Sequence, residues 1–170
     1  MKKAKSRAEC TDPASYIIQI VREAMAMVFS PTSECPPLGG GSEKIWFFAA
    51  DGAPINEVDC NNPFLWVRLA SRFRTGQFPN PQAIVSPCGS PEAISVECGV
   101  ARCATTEEAS LDQYADEAAI SLDDSWRLNK IPCLVSGMLG GENNVAHETV
   151  TPYGPEGGVI AWTTTLFISI

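Results

Sequence analysis

Seven cysteines and one histidine are the residues of this chain best suited to covalent or metal chemistry. A thiol beside an imidazole can become an activated nucleophile, and three or four such ligands can hold zinc. The cysteines fall at Cys10, Cys35, Cys60, Cys88, Cys98, Cys103 and Cys133, with no CxxC pair, so the paired spacing of a structural zinc site is missing. His147 lies in Val145-Ala146-His147-Glu148-Thr149, on an expected strand whose alternation sets it opposite Ala146 and Glu148. No thiol stands in a recognisable nucleophile context, which makes a thiol-dependent hydrolase the distant alternative. The cysteines read instead as small buried hydrophobes, with an incidental bridge left open.

Phosphate and cation chemistry fares no better. Leu38-Gly39-Gly40-Gly41-Ser42-Glu43-Lys44 is glycine-rich but leads into an apolar strand. Ser136-Gly137-Met138-Leu139-Gly140-Gly141 lacks both a following helix and a lysine, so neither is a phosphate loop. Asp51, Glu57 and Asp59 share a loop without metal spacing, and no calcium-loop pattern occurs. The expectation is no catalytic residue, no metal and no cofactor.

Charge is the more informative chemistry. Arg68, Arg72 and Arg74 lie two or four residues apart on an expected strand and so face one way, beside Trp66. Against them stands one expected helix carrying Glu107, Glu108, Asp112, Asp116, Glu117, Asp123 and Asp124, unrelieved by Lys or Arg within the acidic run. The common meaning of such a face is solvation. The sharper reading is that basic strand and acidic helix meet, within the molecule or between subunits, through Arg68, Arg72, Arg74, Asp112, Asp116 and Asp123.

The whole chain bounds these readings. Its 170 residues suit one domain, and 45% hydrophobic with 19% charged residues describes a folded globular protein. Twelve Lys and Arg against 20 Asp and Glu give a formal charge of -8, which opposes a protein whose task is to grip nucleic-acid phosphates. Lys2, Lys3, Lys5 and Arg7 precede residue 8, so the remainder sets eight cations against 20 acids, a formal -12. Residues 1–12 read as a basic flexible tail and 13–170 as the domain. Met1-Lys2-Lys3 is followed by no apolar signal core, and no apolar run is long enough to span a membrane, so the expected start is cytosolic.

Asp12-Pro13 opens a helix, with Ile17, Ile18, Val21, Ala24, Met25 and Val28 as its stripe and Ser30-Pro31 as its end near Phe29. The loop with Pro36-Pro37 and Gly39-Gly40-Gly41 should be flexible or peripheral. Strands follow over Ile45 to Ala49, Phe64 to Arg74 and Ile94 to Ala104. Thr105 and Glu108 have capping-box spacing before a second helix, whose Leu111, Ala115, Ala118, Leu122 and Trp126 form an apolar stripe. A turn around Gly137 to Gly141 leads to a hairpin with arms Asn144 to Thr151 and Val159 to Ile170, joined by the loop Pro152 to Gly158. This order predicts a single α+β domain, a mainly antiparallel sheet with two principal helices packed against it. The arms Asn144 to Thr151 or Ile45 to Ala49 are candidates for pairing with neighbouring subunits.

Phe64-Leu65-Trp66-Val67-Arg68-Leu69, then Phe78-Pro79-Asn80-Pro81, Pro87-Cys88-Gly89-Ser90 and Glu97-Cys98-Gly99-Val100-Ala101-Arg102-Cys103-Ala104 form an ordered series. With Thr151-Pro152-Tyr153-Gly154-Pro155-Glu156-Gly157-Gly158, Trp162 and a Thr-rich last strand, this series resembles the tail terminator proteins of long-tailed (siphovirus-type) phages of actinobacteria. The resemblance covers roughly residues 58–127 and 149–170. It implies a non-enzymatic virion protein that assembles in the host cytoplasm as a homohexameric ring on the head-proximal end of the tail. There it would contact the tail tube protein, stop tube growth and dock the head-tail neck or connector protein. A passage for DNA should not hold it tightly, and Glu108, Asp112, Asp116 and Glu117 are the candidates for an acidic lumen wall. The alternative within the virion is a neck stopper or connector.

Overall fold

The computed structural model describes residues 11–53, 58–84, 88–105, 108–141 and 145–170. Lys2, Lys3, Lys5, Arg7, Cys10, Glu57, Thr106, Glu107 and Asn144 lie outside the described residues.

Helix α1, Pro13–Phe29, starts where the sequence places it. The Asp12 carboxylate accepts from the Ala14 N–H at 3.0 Å, and Pro13 fills the first turn without losing a donor. Ile17, Ile18, Val21, Ala24, Met25 and Val28 are all buried, so the stripe meets the core as its period requires. Strands β1 (Ile45–Phe48), β2 (Phe64–Arg74) and β3 (Glu92–Cys103) follow. Helices α2 (Leu111–Leu128) and α3 (Ile131–Met138) come next, then β4 (Val145–His147), β5 (Thr151–Glu156) and β6 (Val159–Ser169).

The six strands form one sheet in the order β1-β2-β3-β6, with β4 and β5 sharing the outer side of β6. Only β1 and β2 run parallel; the other pairs are antiparallel. The fold is therefore a single α+β domain with a mainly antiparallel sheet. One face of the sheet presents Leu65, Val67, Ile94, Val96, Cys98, Leu166 and Ile168 to α1, α3 and the end of α2, and this is the main core. On the other face Phe64, Trp66, Ala101, Val159 and Ala161 make a smaller cluster under Ala53 and Val58. Gly99 lies beneath the Trp66 indole there: a Cβ at this position would overlap the ring and the Trp162 carbonyl.

Four expectations change. The second helix is capped by Ser110 and Gln113, not by Thr105 and Glu108, because the reciprocal side-chain bonds form three residues before Gln113. The turn expected around Gly137 to Gly141 starts later, at Leu139-Gly140, because Gly137 lies inside helix α3; Pro132 cannot donate to the Leu128 carbonyl, so the helical arm bends at Asn129-Lys130 instead of running on. The expected loop Pro152 to Gly158 is mostly strand: β5 pairs with β6, and the turn is Gly157-Gly158, both at positive φ. Residues 145–147, inside the expected first arm, form the short strand β4.

The cysteines differ as well. Among the described residues only Cys98 is a buried free thiol; Cys35, Cys88 and Cys133 are exposed, and Cys60 is bonded to Cys103 across Cα atoms 5.2 Å apart. The bridge ties the loop before β2 to the end of β3.

Candidate assembly site

The acidic helix is built differently on its two sides. Asp124, Arg127 and Leu128 are its buried residues, so much of its inward face is polar. Asp124 receives Nε of Arg102 at 2.6 Å and Nη2 at 2.9 Å. The rest of that guanidinium donates to the Gly39 and Gly40 carbonyls at 2.6 and 3.0 Å. Asp123 accepts from Arg127 Nε and from the Leu38 N–H, both at 2.8 Å. Arg127 also donates to the carbonyls of Val28, Cys35 and Pro36. Two arginines thus fasten α2 to the end of α1 and to the glycine loop, which is a clamped segment and not a free one. Glu117 accepts from the Thr105 N–H, and Trp162 Nε1 donates to Ser121 at 2.7 Å.

Electrostatics follow from that packing. Burial pushes the Asp124 carboxyl above the usual aspartate range, and the Arg102 pair offsets only part of the cost. Burial acts on Asp123 in the same sense but is outweighed by Arg127 and the Leu38 N–H, which leave it below the usual range. Asp123 is therefore spent inside the chain and does not await a partner.

The outward side carries the apolar stripe. An amphipathic helix normally turns such a stripe to the core. Here Leu111 is 87% exposed, Leu122 69% and Trp126 52%, with Ala115 and Ala118 exposed between them. Lys130 Nζ stands 3.1 Å from the centroid of the Trp126 ring. Glu108, Asp112 and Asp116 are exposed on this helix or just before it, and Asp112 and Asp116 lie along one flank of the stripe.

The arginine strand does not face one way. Strand β2 shifts register between Leu69 and Ser71, so Arg68 lies opposite Glu97 while Arg72 lies opposite Ile94 and Arg74 opposite Glu92. A bulge adds one residue and reverses the alternation beyond it. Arg68 donates to Glu97 at 2.6 and 3.2 Å on the face away from the helices. Arg72 pairs with Asp12 and Glu92, and Arg74 with Glu92, on the α1 side. Within the molecule, then, the arginines meet Asp12, Glu92 and Glu97, and not Asp112, Asp116 or Asp123. Burial alone would raise Glu97, but Arg68 and the Trp66 indole N–H hold it below the usual glutamate range.

His147 is exposed, its Nδ1 2.9 Å from the Glu148 carbonyl, and it lines a shallow cavity that also touches Cys133. Burial pushes the Cys98 thiol far up, which removes it as a nucleophile. Among the described residues no group of three His, Cys, Asp or Glu could hold a metal, and no helix is long and apolar enough to cross a membrane.

Arg102 and Arg127 are the functional side chains that motif reading passes over. A signal was available for the first: Ile94, Val96, Cys98 and Val100 alternate into the core, and Arg102 continues that parity. A cation at the end of a core-facing run requires an anion beside it.

Compared with known proteins, the chain matches no family model and no curated sequence.

Proposed function

We propose that this protein is a non-enzymatic virion subunit of the tail terminator kind. In this reading it assembles as a homohexameric ring on the head-proximal end of a tail tube, stops tube polymerisation and offers a docking surface to the head-tail neck. The observation that carries the assembly role is the stripe Leu111 to Trp126, apolar and turned to solvent on a helix whose inner face is fastened by Arg102 and Arg127. Exposed apolar surface on a rigidly held element is the usual form of a protein contact site. The terminator identity is supported by the ordered motifs of residues 64–104 and 151–170.

Ring formation requires two different patches on each subunit, since a closed ring is built from heterologous contacts. Asp112 and Asp116 on the flank of the stripe, with exposed Glu108 just before the helix, suit a wall beside moving DNA, because like charge keeps phosphates from binding. Glu117 contributes less to that wall, being engaged by Thr105. The test is localisation. Labelled antibody against this chain should decorate assembled particles at the junction of tail and head. Decoration along the tube, at the distal tip or nowhere on the particle contradicts the reading.

A further inference from the structure

A cavity of about 410 Å³ opens between α2, the end of β3 and the start of β6. Val100, Ile120, Ile160 and Trp162 supply its apolar lining, and one cation and three carboxylates share it. Arg102 and Asp124 are paired there, which cancels one charge of each sign. Asp116 and Glu117 are left, a formal -2. Asp116 has no hydrogen-bond or ion-pair partner among the described residues, and Glu117 meets the neutral Thr105 N–H, which leaves its charge uncompensated. Such a lining suits a lysine or arginine side chain, whose stem packs on carbon while its head meets the acids.

The described part of the chain has little to fill it with. Arg68, Arg72, Arg74, Arg102 and Arg127 are all salt-bridged within the molecule. Arg22 donates to the Ile45 carbonyl, and Lys44 and Lys130 lie over the Trp46 and Trp126 rings. The other four of the twelve cations, Lys2, Lys3, Lys5 and Arg7, fall within six residues that contain no acid, and they lie outside the described residues.

We infer that the basic segment 2–7 of one copy binds the cavity of another copy. Reach decides between copies. Asp12 is held by Arg72, opposite Ile94 near the start of β3, whereas the cavity is lined by Arg102, eight residues on and about 26 Å further along the strand. Arg7 precedes Thr11 by four residues, so the backbone carries it at most about 14 Å from there. A copy cannot bring its four cations to its own cavity together, and a neighbour can. The segment and the cavity are different parts of the chain, so the contact is heterologous and runs from copy to copy. Glu108 and Asp112 do not line the cavity and stay available to the acidic wall.

This inference rests on the assembly part of the proposed function and not on the tail. Its test uses the full chain with Lys2, Lys3, Lys5 and Arg7 all changed to Glu as receptor, and a fluorescein-labelled peptide of residues 1–8 as probe, read by fluorescence anisotropy. Binding should saturate, weaken as salt rises, and fall at least about tenfold when Asp116→Lys is added to the receptor. Asp116 is exposed, and circular dichroism checks that the variant folds. Glu23→Lys, the same charge change on α1 and outside the cavity, should leave binding unchanged. In sedimentation velocity the wild type should self-associate at least about tenfold more tightly than the receptor variant. A chain that carries the four Glu together with Asp116→Lys and Glu117→Lys should recover that association, because both charges are then reversed. A peptide that does not saturate, one that Glu23→Lys weakens as much as Asp116→Lys, or a wild type that associates no more than the receptor variant overturns the inference. Normal tails in particles lacking this protein, with the peptide contact intact, would remove the terminator reading and retain the docking.

Discussion

Arg102 and Asp124 face each other through two hydrogen bonds, 2.6 and 2.9 Å, between the last turn of a core strand and the inner side of the acidic helix. This pair decides which way α2 turns. With Asp124 drawn inward, the residues half a turn round the helix, Leu122 and Trp126 among them, are left outside.

Removing the guanidinium should cost more than removing a surface charge. Arg102→Ala leaves the Asp124 carboxylate buried without its counter-ion and frees the Gly39 and Gly40 carbonyls, so the expected loss is about 3 kcal/mol. Urea denaturation measures it. Arg72→Ala, whose partners are more exposed, should cost less than about 1 kcal/mol in the same assay.

Gly99 sets how closely Trp66 can lie on the sheet. Gly99→Ala places a methyl group into the indole and the Trp162 carbonyl, and overpacking of this kind costs about 1–3 kcal/mol. A lowered thermal midpoint together with a changed tryptophan emission is the expected result.

The bridge between Cys60 and Cys103 closes a loop of 43 residues. Cys60→Ser should lose about 2–4 kcal/mol against the oxidised wild type. It should lose nothing further when reductant is added, whereas the wild type should fall to the level of the variant. Denaturation with and without reductant separates these cases.

Glu97 carries an acid-side dependence whose sign is fixed by its partners. Its folded carboxyl lies below the usual range, so the stabilisation is present above the unfolded glutamate range and is lost as pH falls through the folded value. Glu97→Gln should lower the melting temperature at neutral pH and flatten its decline on acidification. Asp124, raised by burial, acts in the opposite sense and is left intact in that comparison.

Much of the framework was legible before the structure. Asp12-Pro13 and the spacing from Ile17 to Val28 locate α1 to the residue, and the alternation around Val96 locates β3 because Ile94, Val96, Cys98 and Val100 all turn to the core. The stripe Leu111 to Trp126 was equally visible, but periodicity gives the direction of a stripe on its helix and not what that direction points at. That depends on Arg102 and Arg127, whose partners lie 22 residues away and up to 99 residues away. The common face of Arg68, Arg72 and Arg74 failed for a similar reason. A one-residue bulge near Ala70 leaves no mark in composition yet inverts every side chain after it. Helix α3 was hidden by Gly137, which sits on its exposed side near the end where a missing side chain costs little packing.

In the proposed role the protein limits tail length, and electron microscopy reads that length most directly. Electron microscopy of particles produced without this protein should show overlong or ragged tails detached from filled heads. Tails of normal length that fail to join heads would contradict a terminator and indicate a neck protein instead, and intact infectious particles would contradict any role in the virion.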